Sequence, residues 1–143
     1  MQLKTLLTTT FAAVAIAAPA STSISTTADV PQWTIVGLKR QCNGADTSCT
    51  WSFTIDTHTG ARTPCSFTVK GSPASQTNAN GLTCGAFSIS TGWSGQFGPG
   101  NGFTTMPVID YGSKHIAYPS YQDSVLAQGA TVSPDRSYNV QNL

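Results

Sequence analysis

The sequence predicts an all-β protein, a small single domain folded as a β-barrel or a β-sandwich and held by two disulfides. Short runs alternate apolar and polar residues, as half-buried strands do. Four cysteines lie beyond the amino-terminal segment, an even number that suits pairing in an oxidising compartment. No stretch beyond that segment repeats apolar residues with the period of an α-helix. Together these observations favour short strands joined by turns and clamped by sulfur bridges.

The amino-terminal segment predicts export. Residues 1–17 place Lys4 before an apolar run that ends in small residues, which is the layout of a signal peptide. The run is shorter than the ~20 residues of a membrane-spanning helix, so we expect no membrane insertion. Residues 18–32, rich in serine and threonine, predict a flexible lead-in. The folded domain is expected over residues 33–143, in a secreted, extracellular protein.

Three strands are predicted in the first half of the domain. The segments TWSFTID and CSFTVK each place every second residue on one apolar face, namely Trp51, Phe53 and Ile55 in the first and Cys65, Phe67 and Val69 in the second. In WTIVGLKRQC, strict alternation puts Trp33, Ile35 and Gly37 on one side. Its basic pair, Lys39–Arg40, is expected at the solvent end. We favour an intact strand over proteolytic processing at this pair, because a cut would discard the strand's apolar residues.

The second half predicts shorter elements. CGAFSIS alternates through Phe87 and Ile89. FTTMPVID and KHIAYP flank YGS, a pattern typical of a short hairpin. QDSVLAQG is the best helical candidate, about one turn long and stopped by Gly129, and RSYNVQ predicts a last short strand. Seven or so strands with turn signals between them indicate a sandwich or a small barrel.

The cysteines predict disulfides and not a metal site. They are Cys42, Cys49, Cys65 and Cys84. Their spacing contains no C-x-x-C, and neither His58 nor His115 completes a zinc ligand set. Three pairings are open to four cysteines, and we favour Cys42–Cys49 with Cys65–Cys84 because short loops close at lower entropic cost.

The charge balance excludes some partners. Seven basic and six acidic residues give a net charge of +1, so no basic footprint indicates nucleic acid or an anionic membrane. Charged residues make up 9% of the chain, against about 25% in an average protein. The surface is therefore expected to be hydrated by serine, threonine, asparagine and glutamine. No motif indicates a cofactor.

The glycine-rich stretch TGWSGQFGPGNGFTT raises the question of a binding loop. A phosphate-binding loop is followed by a helix that holds the anion, whereas this one is followed by β-branched residues and lacks the lysine. We therefore predict a strand-linking loop, with glycines setting tight turns and Trp93, Phe97 or Phe103 closing the core. The alternative is that aromatic side chains on a rigid loop stack on sugars or dock a protein. The candidate binding residues are Trp93, Phe97 and Tyr118.

No catalytic residues are predicted. A serine hydrolase needs a base and an orienting carboxylate beside its nucleophile, and only Asp56 with His58 offers that pair. The sequence has no G-x-S-x-G motif. The aspartates Asp46, Asp110 and Asp135 lie in turn-like contexts, where the carboxylate usually bonds the local backbone, so a glycosidase pair is disfavoured. We expect a protein that is not an enzyme.

Four segments carry a family resemblance: CNGADTSCTWSFTIDTHTG, TPCSFTVKG, TCGAFSISTGWSGQFGPGNGFTT and VSPDRSY. From about Trp33 to the carboxyl end, the chain resembles small secreted fungal surface proteins that act as hypersensitive-response-inducing elicitors. The resemblance implies a compact disulfide-containing β-barrel, exported by a filamentous fungus and perceived by plants. It brings no catalytic residues. The expected partner is a plant surface protein or a cell-wall polysaccharide, and two alternatives are kept: a polysaccharide-binding module and a small hydrolase.

Overall fold

The computed structural model describes residues 30–143, so the predicted signal peptide and most of the predicted lead-in lie outside the described residues. The strands are β1 (Trp33–Cys42), β2 (Ser48–Asp56), β3 (Thr63–Lys70), β4 (Ala79–Cys84), β5 (Phe87–Ser94), β6 (Phe103–Thr105), β7 (Val108–Asp110), β8 (His115–Ala117), β9 (Ser120–Gln122), β10 (Arg136–Tyr138) and β11 (Gln141–Asn142). One helical turn, α1 (Asp123–Leu126), follows β9, and two 3-10 turns span Ala74–Gln76 and Ala127–Gly129. The prediction of an all-β domain is confirmed.

The first sheet is antiparallel, with strand order β10-β1-β2-β3. The long strands β2 and β3 pair without a break, with Trp51 opposite Phe67 and Phe53 opposite Cys65. Trp51, Phe53 and Ile55 are buried, as the alternation predicts, and Phe67 packs against them half-buried. The apolar face of this sheet forms one side of the core.

Strand β1 departs from the strict alternation at Gly37. The pairing of β1 with β2 shifts between Val36 and Lys39, and Gly37 has a φ of +62°, which is unfavourable for any residue with a Cβ atom. This β-bulge changes which side chains face inward. Leu38 and Arg40 are therefore buried, so the expectation that Arg40 lies in solvent is wrong.

The second sheet runs β11-β8-β7-β5-β6-β9, with β4 on the other edge of β5. The partner of β5 changes from β7 to β6 at Met106–Pro107, since proline has no N–H to continue a ladder. The β8–β9 segment is likewise interrupted, at Tyr118–Pro119. The predicted β7–β8 hairpin around Tyr111 is confirmed, and so is the helical turn α1.

The two sheets enclose one core of buried side chains, which includes Trp33, Phe87, Ile89, Met106, Val108, Tyr121 and Val140. Within residues 30–143 the strands do not close into a barrel, so of the two predicted architectures the structure has the sandwich. No helix in this part of the chain is both long and apolar enough to span a membrane.

Each disulfide joins two strands that are consecutive in the chain. Cys42–Cys49 closes the β1–β2 hairpin, and Cys65–Cys84 links β3 of the first sheet to β4 of the second. This is the pairing that the short loops favour, and none of the four cysteines is free. From sequence separations of 7 and 19, the chain-entropy relation gives about 2 and about 3 kcal/mol of stabilisation respectively. The bridge between the sheets is therefore the stronger brace.

Candidate binding surface at the glycine-rich loop

The glycine-rich loop, residues 95–102, connects β5 to β6. It consists of two successive turns, in which Gly98 N–H donates to the Gly95 carbonyl at 3.0 Å and Asn101 N–H donates to the Gly98 carbonyl at 3.1 Å. Gly98 and Gly100 have φ values of +93° and +79°, the region in which glycine is favoured. The loop leads into β6 and not into a helix, so it is a strand-linking loop as predicted.

Trp93 packs against the loop and fixes its position. Its indole Nε1–H donates to Asp123 Oδ2 at 2.8 Å, and the side chain is half-buried. A Cβ atom at Gly95 would lie 2.6 Å from the indole ring, and one at Gly102 would lie 2.8 Å from it. Gly95 and Gly102 therefore pack directly against the Trp93 ring, where a larger residue would not fit.

Asp123 joins this anchor to the first sheet. Its Oδ1 lies 3.2 Å from Arg40 Nη1, and Arg40 is only 6% exposed. The guanidinium also donates to the Ser75 carbonyl at 3.3 Å and lies 5.7 Å from the Trp51 ring centroid. A buried charge needs a partner of opposite sign, so one carboxylate both neutralises Arg40 and holds Trp93.

Phe97 lies on the opposite face of the loop and is 66% exposed. Its ring stacks on the Phe103 ring, with centroids 5.8 Å apart and an interplanar angle of 28°. This is the offset stacking that aromatic pairs favour. Large exposed aromatic side chains on a rigid scaffold are typical of binding surfaces.

The stacked pair forms one wall of a groove of about 680 Å³, within the range of about 300–1,000 Å³ typical of small-ligand sites. We call it the aromatic groove; its lining residues are Phe97, Asn101, Phe103, Ser120, Gln122 and Arg136. Phe103 pairs with Gln122 and Thr105 with Ser120 across β6 and β9, so the groove lies on the outer face of these strands. Sequence reasoning missed Asn101, Ser120, Gln122 and Arg136.

Arg136 borders the groove beside the buried Tyr121. Its guanidinium lies 5.3 Å from the Tyr121 ring centroid and donates to the Ser120 carbonyl at 3.4 Å. Burial raises the pKa of the Tyr121 hydroxyl far above its usual value, and the neighbouring Tyr138 acts in the same direction. Tyr121 is therefore neutral at every ordinary pH and offers no negative charge to Arg136.

The three predicted binding residues do not share one surface. Phe97 lines the aromatic groove, whereas Trp93 lines a separate hollow of about 320 Å³ beneath the loop, with Gln76 and Pro99. Tyr118 is 46% exposed at the break between β8 and β9, and it lines neither. The binding role of these three residues stays a prediction, and the structure gives Phe97 the most accessible ring of the three.

The Asp56–His58 pair belongs to a chain of polar side chains on the first sheet. His58 Nδ1 lies 3.6 Å from Asp56 Oδ2, and Arg62 Nε lies 3.1 Å from the same oxygen. His58 Nε2 and Thr34 Oγ1 are 2.7 Å apart, and Thr34 Oγ1 and Ser137 Oγ are also 2.7 Å apart. The order carboxylate, imidazole, hydroxyl is that of a hydrolase triad. The His58 side chain is, however, 47% exposed. The row of polar side chains links β1, β10 and the β2–β3 turn.

Each of the three turn aspartates accepts a hydrogen bond from a backbone N–H, but only Asp110 does so within its own turn, as predicted, and the partners of Asp46 and Asp135 lie across the fold. Asp46 Oδ1 accepts from Ser75 N–H at 2.9 Å, Asp110 Oδ1 accepts from Gly112 N–H at 3.0 Å, and Asp135 Oδ1 accepts from Gly37 N–H at 2.8 Å. The last of these bonds holds the β-bulge of β1. Each carboxylate thus has a structural partner.

One set of potential metal ligands is close in space. Within residues 30–143, ligand atoms of Cys42, Asp46 and Cys49 lie within 4.8 Å of one another. Both sulfurs belong to a disulfide and cannot supply the thiolates that bind metal ions. The cluster therefore braces the β1–β2 turn.

The fold and the surface define a small, disulfide-braced β-sandwich protein that presents an aromatic groove beside a rigid loop. A family model described as Effector TSP1 matches residues 34–143. Effector TSP1 of Hypocrea virens (strain Gv29-8 / FGSC 10586) is 49% identical over 142 residues, which cover 98% of this chain and 97% of that protein. The chain belongs to the Effector TSP1 family. The resemblance to small fungal effector-type proteins is therefore confirmed.

Proposed function

We propose that this protein is a secreted fungal effector that plants recognise and that induces a defence response of the hypersensitive type by binding, without catalysis. Membership of an effector family and two disulfides support export and action outside the cell. The observation that carries the binding role is the stacked, exposed Phe97 on the glycine-rich loop. The partner is a plant surface protein or a cell-wall polysaccharide.

Binding at Phe97 has a clear energetic basis. Removing apolar surface from water is worth about 25 cal/mol per Å², and Phe97 leaves 66% of its surface in solvent. Because the loop is fixed by its turns and by Trp93, little order has to be created when a partner covers the ring. Both the host-protein and the polysaccharide alternatives use this same surface.

The polar chain through His58 supports a structural role better than a hydrolytic one. Hydrolysis by a triad depends on a water-excluded site that strengthens its electrostatics, whereas the imidazole is 47% exposed. The Asp56 carboxylate also pairs with Arg62. His58→Ala is therefore expected to leave the plant response unchanged, and loss of the response in a folded His58→Ala protein would revive the hydrolase alternative.

The test is infiltration of purified protein into leaves, with necrosis and the oxidative burst as readouts. Phe97→Ala is expected to weaken both responses strongly. Tyr111→Ala is the matched control, because Tyr111 is equally exposed at 63% but lies in the β7–β8 turn, away from the groove. No response to the unaltered protein contradicts the elicitor function. An unchanged response to Phe97→Ala contradicts the role of this surface.

A further inference from the structure

We propose that the aromatic groove binds an oligosaccharide of uronic acid residues, with the exposed Phe97 ring, supported by Phe103, stacked against a sugar ring and Arg136 paired with a ring carboxylate. This inference rests on the proposed binding function and names the class of ligand. Three features of the groove support it: the aromatic wall, the unused polar side chains, and an arginine without a carboxylate partner.

The aromatic wall suits the flat, C–H-rich face of a pyranose ring. The Phe97 and Phe103 rings are 28° from parallel, with centroids 5.8 Å apart, so Phe103 supports the Phe97 ring and the exposed part of Phe97 is the apolar surface on this side of the groove. Burying part of this surface supplies a non-directional driving force, and neighbouring polar groups then fix the orientation of the ligand.

The polar side chains of the groove have unused hydrogen-bond donors and acceptors. Among residues 30–143, neither the Ser120 hydroxyl nor the Gln122 amide makes a side-chain hydrogen bond, and Asn101 uses only its amide N–H, toward the Phe97 and Pro99 carbonyls. Hydroxyl and amide groups both donate and accept. This mixture matches sugar hydroxyls, which do the same.

Arg136 differs from the two other arginines of the described chain. Arg40 pairs with Asp123 and Arg62 with Asp56, whereas no carboxylate within residues 30–143 lies within 4.0 Å of Arg136. No acidic residue of the described part of the chain lines the groove. A guanidinium binds a carboxylate with two parallel charge-assisted hydrogen bonds, so the groove favours an acidic ligand over a neutral one.

The edge of β9 argues against an extended acidic peptide. Such a peptide would add a strand along the outer edge of the sheet, and β9 is the terminal strand of its sheet. The Ser120 carbonyl in β9 already accepts from Tyr138 Oη at 3.3 Å and from Arg136 Nη1 at 3.4 Å. The Ser120 carbonyl is therefore already occupied where an added strand would pair with it.

The test is isothermal titration calorimetry of the purified protein with hexamers of galacturonate. The fully methyl-esterified hexamer keeps the rings and hydroxyls but removes the charge, and cellohexaose and hexaaspartate separate ring stacking from general anion binding. The galacturonate hexamer is expected to bind at least about tenfold more tightly than each of the others, as expected for a charge-assisted hydrogen bond. No binding of galacturonate, or equal binding of the ester or of hexaaspartate, overturns the proposal.

Two variants locate the site. Arg136→Gln and Phe97→Ala are each expected to weaken galacturonate binding about tenfold or more, while Lys70→Gln and Tyr111→Ala, matched changes at exposed positions outside the groove, leave it unchanged. Because Phe97 is largely exposed, Phe97→Ala is expected to fold. It therefore tests the site even if Arg136→Gln does not fold. Unaltered binding by Phe97→Ala places the ligand elsewhere and overturns the assignment.

Leaf infiltration distinguishes the failure of this inference from failure of the proposed function. If the protein elicits the plant response but does not bind galacturonate, the ligand assignment is wrong and the elicitor function stands. If it binds galacturonate in the groove but elicits no response, the ligand site stands and the elicitor function is wrong.

Discussion

The two faces of the glycine-rich loop carry aromatic residues in opposite situations. On one face, the Trp93 indole donates to Asp123 and is covered so closely that neither Gly95 nor Gly102 has room for a Cβ atom. On the other face, Phe97 contacts Phe103 and leaves two thirds of its surface in water. The same glycine-rich stretch thus holds one anchored ring and one exposed ring.

This difference teaches how a small protein exposes an apolar side chain without losing a defined shape. A flexible loop would let Phe97 fold back onto the surface, since burying a phenylalanine is worth about 1.5–3 kcal/mol. The hydrogen bond of Trp93 to Asp123, and through Asp123 the ion pair with buried Arg40, fixes the loop on its inner side. Rigidity on one face is therefore the condition for exposure on the other.

The largest expected effect comes from removing the carboxylate that serves the anchored face. Asp123→Ala leaves Arg40 buried without its counter-charge and Trp93 Nε1–H without its acceptor, so we expect a loss of about 3 kcal/mol in the free energy of unfolding. Urea unfolding followed by tryptophan fluorescence measures it. Asp123→Asn keeps an acceptor for the indole and should lose less.

Asp135→Ala is the control for Asp123→Ala. It also removes a carboxylate with a structural bond, to Gly37 N–H, but breaks no ion pair among the described residues, so a loss of only about 1 kcal/mol is expected. Equal losses for Asp123→Ala and Asp135→Ala would mean that the Arg40 ion pair contributes nothing to the anchored face.

The sequence predicts the regular parts of the fold because their pattern is local. Alternation in TWSFTID identifies the buried face of β2, and the context of Asp110 identifies its bond to Gly112 in the same turn. The bond of Asp46 to Ser75, 29 positions along the chain, has no such local signal. Burial of Arg40 could not be predicted by strict alternation, because a β-bulge at Gly37 shifts the pattern by one residue. A glycine inside a strand pattern is itself a signal of a bulge, and it was present in WTIVGLKRQC.

The candidate surface is harder to predict because its parts come from distant segments. Trp93 is anchored by a residue 30 positions along the chain, and the aromatic groove joins the loop to β9 and to Arg136 in β10. The stretch GWSGQFGPGNGF indicates exposed turns and aromatic rings, but nothing local in it says which ring faces inward. That choice depends on the pairing of β5 with β6, which sets Trp93 opposite Thr104 and Phe103 opposite Ser94.

Substitution of Gly102 tests how tightly the anchored face is packed. A Cβ atom there would lie 2.5 Å from Asp123 Oδ2 and 2.8 Å from the Trp93 ring, so Gly102→Ala should cost about 2 kcal/mol through overpacking. Thermal unfolding monitored by circular dichroism measures the change. A melting temperature equal to that of the unaltered protein would show that the indole can move aside and that this face is not an anchor.

Substitution of Gly100 tests the loop backbone alone. Gly100 has a φ of +79°, but no atom of residues 30–143 lies within 4 Å of a Cβ built on it, so Gly100→Ala should cost about 1 kcal/mol from the left-handed backbone. Gly44→Ala is the matched control, because a Cβ at Gly44 likewise meets no atom of these residues and Gly44 lacks the positive φ. If both variants unfold at the same temperature, the positive φ at Gly100 is not a constraint on the loop.

The smallest effect on stability is expected at Phe97. Phe97→Ala removes an exposed ring and its stacking on Phe103, so the free energy of unfolding should fall by about 0.5 kcal/mol or less. Tyr111→Ala, at similar exposure, should change it as little, and chemical unfolding of both variants tests this. A loss above about 1.5 kcal/mol for Phe97→Ala alone would make Phe97 part of the structural support, and the contrast between the two faces would no longer hold. A small loss of stability together with weakened binding would separate the role of Phe97 from that of Trp93. Phe97 would then be an exposed aromatic side chain that serves binding and that the fold does not need.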